Sequence, residues 1–151
     1  MKSKPDEDDM PVPYIVCKEA DRAIEFYKTV FGATEDFRMT DPGDGRVGHA
    51  ELLFGDQRLF IADEYPDFGA ISPDTLGGTA VTLYQQVADV DTTAAGAEAA
   101  GAMLVRPPAD QSFGERTATF IDPFGHRWMI ATVTEVLTGG EMQKRWEDTV
   151  G

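Results

Sequence analysis

The sequence predicts an α+β chain in which one βαβββ unit occurs twice, and two observations carry that prediction. The first is a pair of matching hairpins. Residues 116–132 (RTATFIDPFGHRWMIAT) alternate, with Thr117 and Thr119 on one side of a strand and Ala118 and Phe120 on the other. The run breaks at Asp122-Pro123-Phe124-Gly125, where Asp, Pro and Gly supply turn chemistry, and then resumes as a second β-rich run. Residues 50–62 (AELLFGDQRLFIA) repeat this layout. With Ala50 set against Ala118, Leu52-Leu53 falls on Phe120-Ile121 and the Gly55-Asp56 turn on the turn at 122–125. Residues 59–62 then fall on 128–131. The second observation lies upstream of each hairpin, where a strand pattern runs into a helix pattern. These helices end at Phe31-Gly32-Ala33 and at Ala100-Gly101-Ala102, each with a glycine suited to the residue just past a helix end. The landmarks agree in order, at a separation of roughly 65 to 70 residues, as an internal repeat requires.

The elements follow in order. Residues 1–10 are charged, contain Pro5 and lack periodicity, which predicts a mobile lead-in. Residues 12–17 are β-rich. A helix then starts at Lys18-Glu19-Ala20-Asp21, its acids favourably placed near the positive end of the helix dipole. Ala20, Ala23, Ile24, Tyr27 and Phe31 form its apolar stripe. A short strand over 35–39, a turn cluster at 41–45 and the first hairpin complete module one, residues 11–63. Residues 64–78 (EYPDFGAISPDTLGG) are too broken for regular structure and form a long linker, of the kind that often carries function. Module two, residues 79–133, has a strand over 79–87 and a helix over 90–100 with Asp89 as N-cap. A strand over 103–106 is stopped by Pro107-Pro108, and the second hairpin follows. The tail, residues 134–151, breaks at Gly139-Gly140 and then places Met142, Arg145, Trp146 and Val150 at helical spacing.

The chain has 151 residues, enough for one domain with a core, and a formal net charge of -14. That charge disfavours nucleic acid and anionic membranes, both of which demand a basic surface. It leaves open solubility, adaptation to high salt, and steering of cationic ligands. Cys17 is alone in the chain and sits in an apolar run, which suits a buried small hydrophobe. No run is long and apolar enough to span a membrane, and residues 1–10 lack the apolar segment of a secretion signal. A reducing, cytoplasmic setting is expected.

The motifs AIEFYKTVFGA, VGHAELLFGD, LFIADEYPDFG, LGGT and DPFGHRW resemble the vicinal oxygen chelate superfamily of glyoxalases, bleomycin resistance proteins and extradiol dioxygenases, most of all its PhnB-like branch. The resemblance implies that the two modules form a curled, cup-shaped mixed sheet with helices on the convex side. It also implies a homodimer, because cups in this family are often completed between chains. Its metal-dependent members hold a divalent ion on the cup floor with His, Gln and Glu. The matching positions here fall near Val12 and Phe60 in module one, and near Thr82 and Met129 in module two. None is a usual ligand, so no metal cofactor is expected, although a relocated divalent metal stays possible.

Other candidates come from the residues themselves. His49 and Glu51 share a strand face and could form an oriented general base, two ligands of a relocated metal, or a structural hydrogen bond. His126 reads as a turn and supporting residue. Arg116 could clamp a carboxylate or phosphate, or pair with a surface acid. In the cup that the resemblance implies, Tyr14, Phe60, Thr82, Tyr84, Thr119 and Met129 would give a lining of apolar groups with phenolic tips, suited to an aromatic or amphipathic small molecule. Two functions follow. One is a metal-free binding protein that sequesters a small molecule, as resistance proteins of this superfamily do. The other is a lyase, isomerase or dioxygenase-type enzyme acting on a vicinally oxygenated molecule through His49 and Glu51 or a relocated metal.

Overall fold

Strand alternation and helical stripes give the expected α+β arrangement in the computed structural model, which describes residues 10–151. The lead-in expected over residues 1–10 lies, Met10 apart, outside the described residues. Module one contains β1 (Tyr14–Cys17), α1 (Ala20–Phe31), β2 (Thr34–Thr40), β3 (Val47–Phe54) and β4 (Gln57–Asp63). Its four strands form an open sheet in the order β1-β4-β3-β2, with β1 parallel to β4 and the other pairs antiparallel. After a four-residue helix α2 (Pro73–Leu76), module two repeats the order with β5 (Thr82–Gln86), α3 (Val90–Ala99), β6 (Met103–Asp110), β7 (Glu115–Ile121) and β8 (Arg127–Val133). Its sheet runs β5-β8-β7-β6 with the same pattern of parallel and antiparallel pairs. The hairpin alignment also holds in register: Ala50 faces Ile61 as Ala118 faces Ile130. The fold is thus two four-stranded mixed sheets, neither of them closed.

Helix α1 buries Ala20, Ala23, Ile24, Phe26 and Tyr27 against its sheet. Its first free N–H is satisfied from a distance: Ala20 N donates to Asp63 Oδ1 at 3.0 Å, while Asp63 Oδ2 accepts from Val47 N at 2.7 Å. The helix stops at Gly32, whose φ of 68° is left-handed, as the end-glycine pattern required. Helix α3 starts on Asp89, whose side chain accepts from Thr92 N.

The two modules share one core on their helix-bearing sides. The rings of Phe31 and Trp128 lie 4.6 Å apart, and Phe26 packs on Phe120 and Phe124. Buried Asp122 accepts from Tyr27 Oη at 2.5 Å, from Trp128 Nε1 at 2.9 Å, and from the Phe124 and His126 amides. His126, expected only to support its turn, is buried and reaches across the modules to Val16 O at 2.8 Å. The other face of each sheet is turned away from this core.

Three local expectations need correction. The linker is not devoid of regular structure: it holds a 3₁₀ turn at Pro66–Phe68 and helix α2, whose N-cap is Ser72. Pro107 and Pro108 do not stop β6. That strand is a sheet edge, and its register shifts between Arg106 and Ala109, so neither proline owes the ladder an N–H. Finally, Gly139 and Gly140 begin the last helix, α4 (Gly139–Val150), where a Thr138–Glu141 capping box offsets their low helix propensity.

Candidate functional site

The open face of module one is built from residues of one strand parity. Across the sheet, Tyr14 faces Phe60, Phe60 faces Glu51, and Glu51 faces Phe37, with His49 and Met39 paired one step along. Sequence alternation therefore brings Tyr14, His49, Glu51 and Phe60 onto one face as expected. Tyr14 Oη lies 2.6 Å from His49 Nδ1, His49 Nε2 lies 2.9 Å from Glu51 Oε2, and Arg58 Nη1 donates to Glu51 Oε1 at 2.9 Å. An ionised Glu51 can only accept, so a neutral His49 carries its proton on Nε2 and Tyr14 donates to Nδ1. Partial burial, then the nearby Glu51 charge, hold the Tyr14 phenol above its ordinary pKa. The phenol thus ends a polar chain that runs back to Arg58. Sequence reasoning missed Arg58, although it shares the parity of Phe60.

The open face of module two uses the equivalent register. Tyr84 faces Met129, Met129 faces Thr119, and Thr119 faces Arg106, while Thr82 faces Arg127 one step along. Tyr84 Oη donates to Glu115 Oε2 at 2.7 Å, and burial followed by this bond raises the phenol pKa. Thr82, Tyr84, Thr119 and Met129 all lie on this face. Arg116 does not. It shares the parity of Ala118 and Phe120, so it emerges on the helix side. There Nε and Nη2 donate to Asp91 of α3 at 2.8 and 3.0 Å, and Nη1 donates to Asp110 at 3.2 Å. Of its two expected roles, the structure gives Arg116 the surface ion pair.

The positions at which metal-dependent relatives carry their ligands hold other residue types here. Among the described residues, no three His, Cys, Asp or Glu side chains gather as a metal-binding group. Both nitrogens of His49 are engaged, and the positions named by the resemblance offer a ring at Phe60, a hydroxyl at Thr82 and a thioether at Met129.

The linker roofs one end of module one. Tyr14, Val16, Met39, Ala62, Tyr65 and Phe68 line a largely apolar pocket of about 610 Å³, with Asp41 also in its lining. Tyr65 is held by its hydroxyl, which donates to Asp41 Oδ2 at 3.2 Å, and by the Arg46 guanidinium 3.9 Å above its ring. At the start of the linker, Glu64 accepts from the Ser72 and Thr75 hydroxyls and the Ser72 amide, which pull its pKa down to about 2. Neither Tyr65 nor Asp41 was a sequence candidate, because the contact between them is made only when the linker folds back.

Comparisons with known proteins bear on this architecture. A family model described as the Glyoxalase/Bleomycin resistance protein/Dioxygenase superfamily matches residues 11–130. An uncharacterized protein of Mycobacterium tuberculosis is 35% identical over 134 residues, covering 87% of this chain and 78% of that protein. Among solved structures, TioX from Micromonospora sp. ML1 is 27% identical with a TM-score of 0.63, over 81% of this chain and 96% of that one. A PhnB protein from Bacillus cereus is 18% identical with a TM-score of 0.65, over 82% of this chain and 98% of that one. The fosfomycin resistance protein FosX from Mesorhizobium loti is 17% identical with a TM-score of 0.62, over 90% and 98%. The last two likenesses are of fold.

Proposed function

The chain belongs to the glyoxalase/bleomycin resistance protein/dioxygenase superfamily, and on that basis we propose that it captures a small, partly aromatic molecule on its open sheet faces without a resident metal. The observation that carries this reading is the spent state of His49, with Tyr14 on one nitrogen and Glu51 on the other. What remains for a ligand in module one is an apolar wall, tipped by the Tyr14 phenol and partly roofed by Tyr65 and Phe68. Such a surface favours capture by burial of apolar area, with a few polar groups setting orientation.

The same reading makes the protein a cytoplasmic homodimer. Tyr14, Phe37, Met39, Tyr84 and Met103 stay about half or more exposed on the open faces, so each face lacks a second wall that another copy would supply. The free, buried Cys17 is in keeping with a reducing compartment. A second reading has one observation in its favour. The Tyr14–His49–Glu51 chain is also a proton relay, and a lyase, isomerase or dioxygenase-type reaction would use Tyr14 as its outlet.

Metal analysis and a thermal-shift panel on untagged protein test the choice. Capture predicts no stoichiometric zinc, manganese, nickel or iron, and saturable stabilisation of the purified protein by an aromatic probe. A stoichiometric ion lost in His49→Ala would overturn it in favour of the enzyme.

A further inference from the structure

The chain is strongly acidic, and nearly every basic side chain among the described residues has an acidic neighbour. Arg22, Lys28, Arg38, Arg46, Arg58, Arg116, Lys144 and Arg145 all form ion pairs. Lys18 is close enough to Glu64 to help lower its pKa. Arg106 and Arg127 are the arginines among the described residues without a hydrogen bond or ion pair, and both belong to the open face of module two. Where acids outnumber bases two to one, leaving two guanidiniums unpaired on one face is a departure from the rest of the surface.

Between them lies a second unengaged group. Thr119 is only 6% exposed, yet its hydroxyl makes no hydrogen bond, and its oxygen is not sealed from solvent. Register sets it directly opposite Arg106 on one side and Met129 on the other. A hydroxyl with no partner in the chain, open to solvent on an otherwise buried side chain, can donate to a ligand at no cost in internal hydrogen bonds. Arg127 stands one step along, opposite Ile121 and Thr82. Strand spacing and rise put the Arg106 and Arg127 Cα atoms roughly 12 Å apart, within reach of one small ligand for two such long side chains. The one carboxylate of matching parity on β7, Glu115, sits at the far end of the strand and is held by the Tyr84 hydroxyl. Gln111 occupies the neighbouring Thr117.

We propose that Arg106 and Thr119, reinforced by Arg127, form an oxyanion subsite that takes the carboxylate or phosphate of an otherwise apolar ligand. The guanidinium supplies charge and paired donors, and the Thr119 hydroxyl supplies a third donor at fixed height. Met129 and the Tyr84 ring supply the adjoining apolar surface. The subsite rests on the capture reading and adds the ligand's charge to it. It also takes over the anion-clamp role that sequence position had suggested for Arg116.

Isothermal titration with four aromatic probes tests the subsite: benzoate, phenyl phosphate, benzyl alcohol and benzylamine. Either anion should bind at least tenfold more tightly than the alcohol or the amine, and its affinity should fall with added salt. The tighter of the two anions identifies the headgroup as carboxylate or phosphate. Arg106→Gln and Thr119→Val should each weaken anion binding about tenfold and leave benzyl alcohol unchanged. Thr119→Ser should restore binding, and Arg22→Gln, on an exposed ion pair, should have no effect. Alcohol binding as tight as the anions, or anion binding indifferent to Arg106→Gln, overturns the subsite while leaving capture standing. A weaker dimer in Arg106→Gln with unchanged anion binding also overturns it, by assigning the guanidinium to an acid on the second copy. If none of the four probes binds, both the subsite and the capture reading fall.

Discussion

Modules one and two share a frame and differ in what they hang on it. The row Tyr14–Phe60–Glu51–Phe37 in one matches the row Tyr84–Met129–Thr119–Arg106 in the other, position for position. Module one places a carboxylate at the centre and a ring at the edge, and spends its polar groups on one another. Module two places a hydroxyl at the centre and a guanidinium at the edge, and leaves both unspent. Backbone pairing is indifferent to this choice, because side chains leave a sheet perpendicular to the ladder. A duplicated fold can therefore keep its core and diverge completely on its open faces.

The turns differ as sharply as the rows. Asp122 takes four donors, three from its own module and Tyr27 from module one, while the acid of the matching module-one turn, Asp56, lies exposed. Asp122→Ala strands buried donors and should cost about 3 kcal/mol or more in urea unfolding. Asp56→Ala should cost less than about 0.5 kcal/mol, and equal losses would deny the contrast. Next in size is Glu51→Thr, which gives module one the central residue of module two. It removes the acceptor of His49 and the nearer of the two acids on Arg58, and should cost about 1 kcal/mol, since Arg58 is partly solvated and keeps Asp36 at 3.7 Å.

The linker between the modules has its own signature. Glu64 titrates at about 2 when folded, against about 4.3 for a free glutamate. A carboxyl depressed on folding stabilises above its unfolded pKa, and that contribution fades as pH falls toward about 2. Glu64→Gln should therefore flatten the pH dependence of stability in that window, and an unchanged slope would remove the Ser72–Thr75 clamp as its source. The smallest effect is spectroscopic. Both Tyr14 and Tyr84 should ionise above the ordinary tyrosine range, and Glu115→Gln should lower only Tyr84, through the lost bond. A shift of Tyr14 in that variant would mean the two faces communicate.

Much of this was legible beforehand. The hairpin alignment, the helix ends at Gly32 and Gly101, and the shared face of His49 and Glu51 all follow from periods of two and 3.6. Arg116 was legible too, because its parity with Ala118 and Phe120 already pointed it toward the helix. Arg106 was hidden: register shifts on either side of it break the alternation that would have revealed its face. Tyr65 and Asp41 were hidden for another reason, since a linker without periodicity gives no sign of where it folds back.

Alternation and helical stripes settle the repeat, its strands and its core faces, because each depends on residues a few positions apart. Which charges end up paired was left to the folded chain. Tyr14 meets His49 across 35 positions and Arg116 meets Asp91 across 25, while Arg106 meets no acid at all. Such meetings turn on distances of a few ångströms between remote segments, and those distances exist only once each sheet has assembled with its helix.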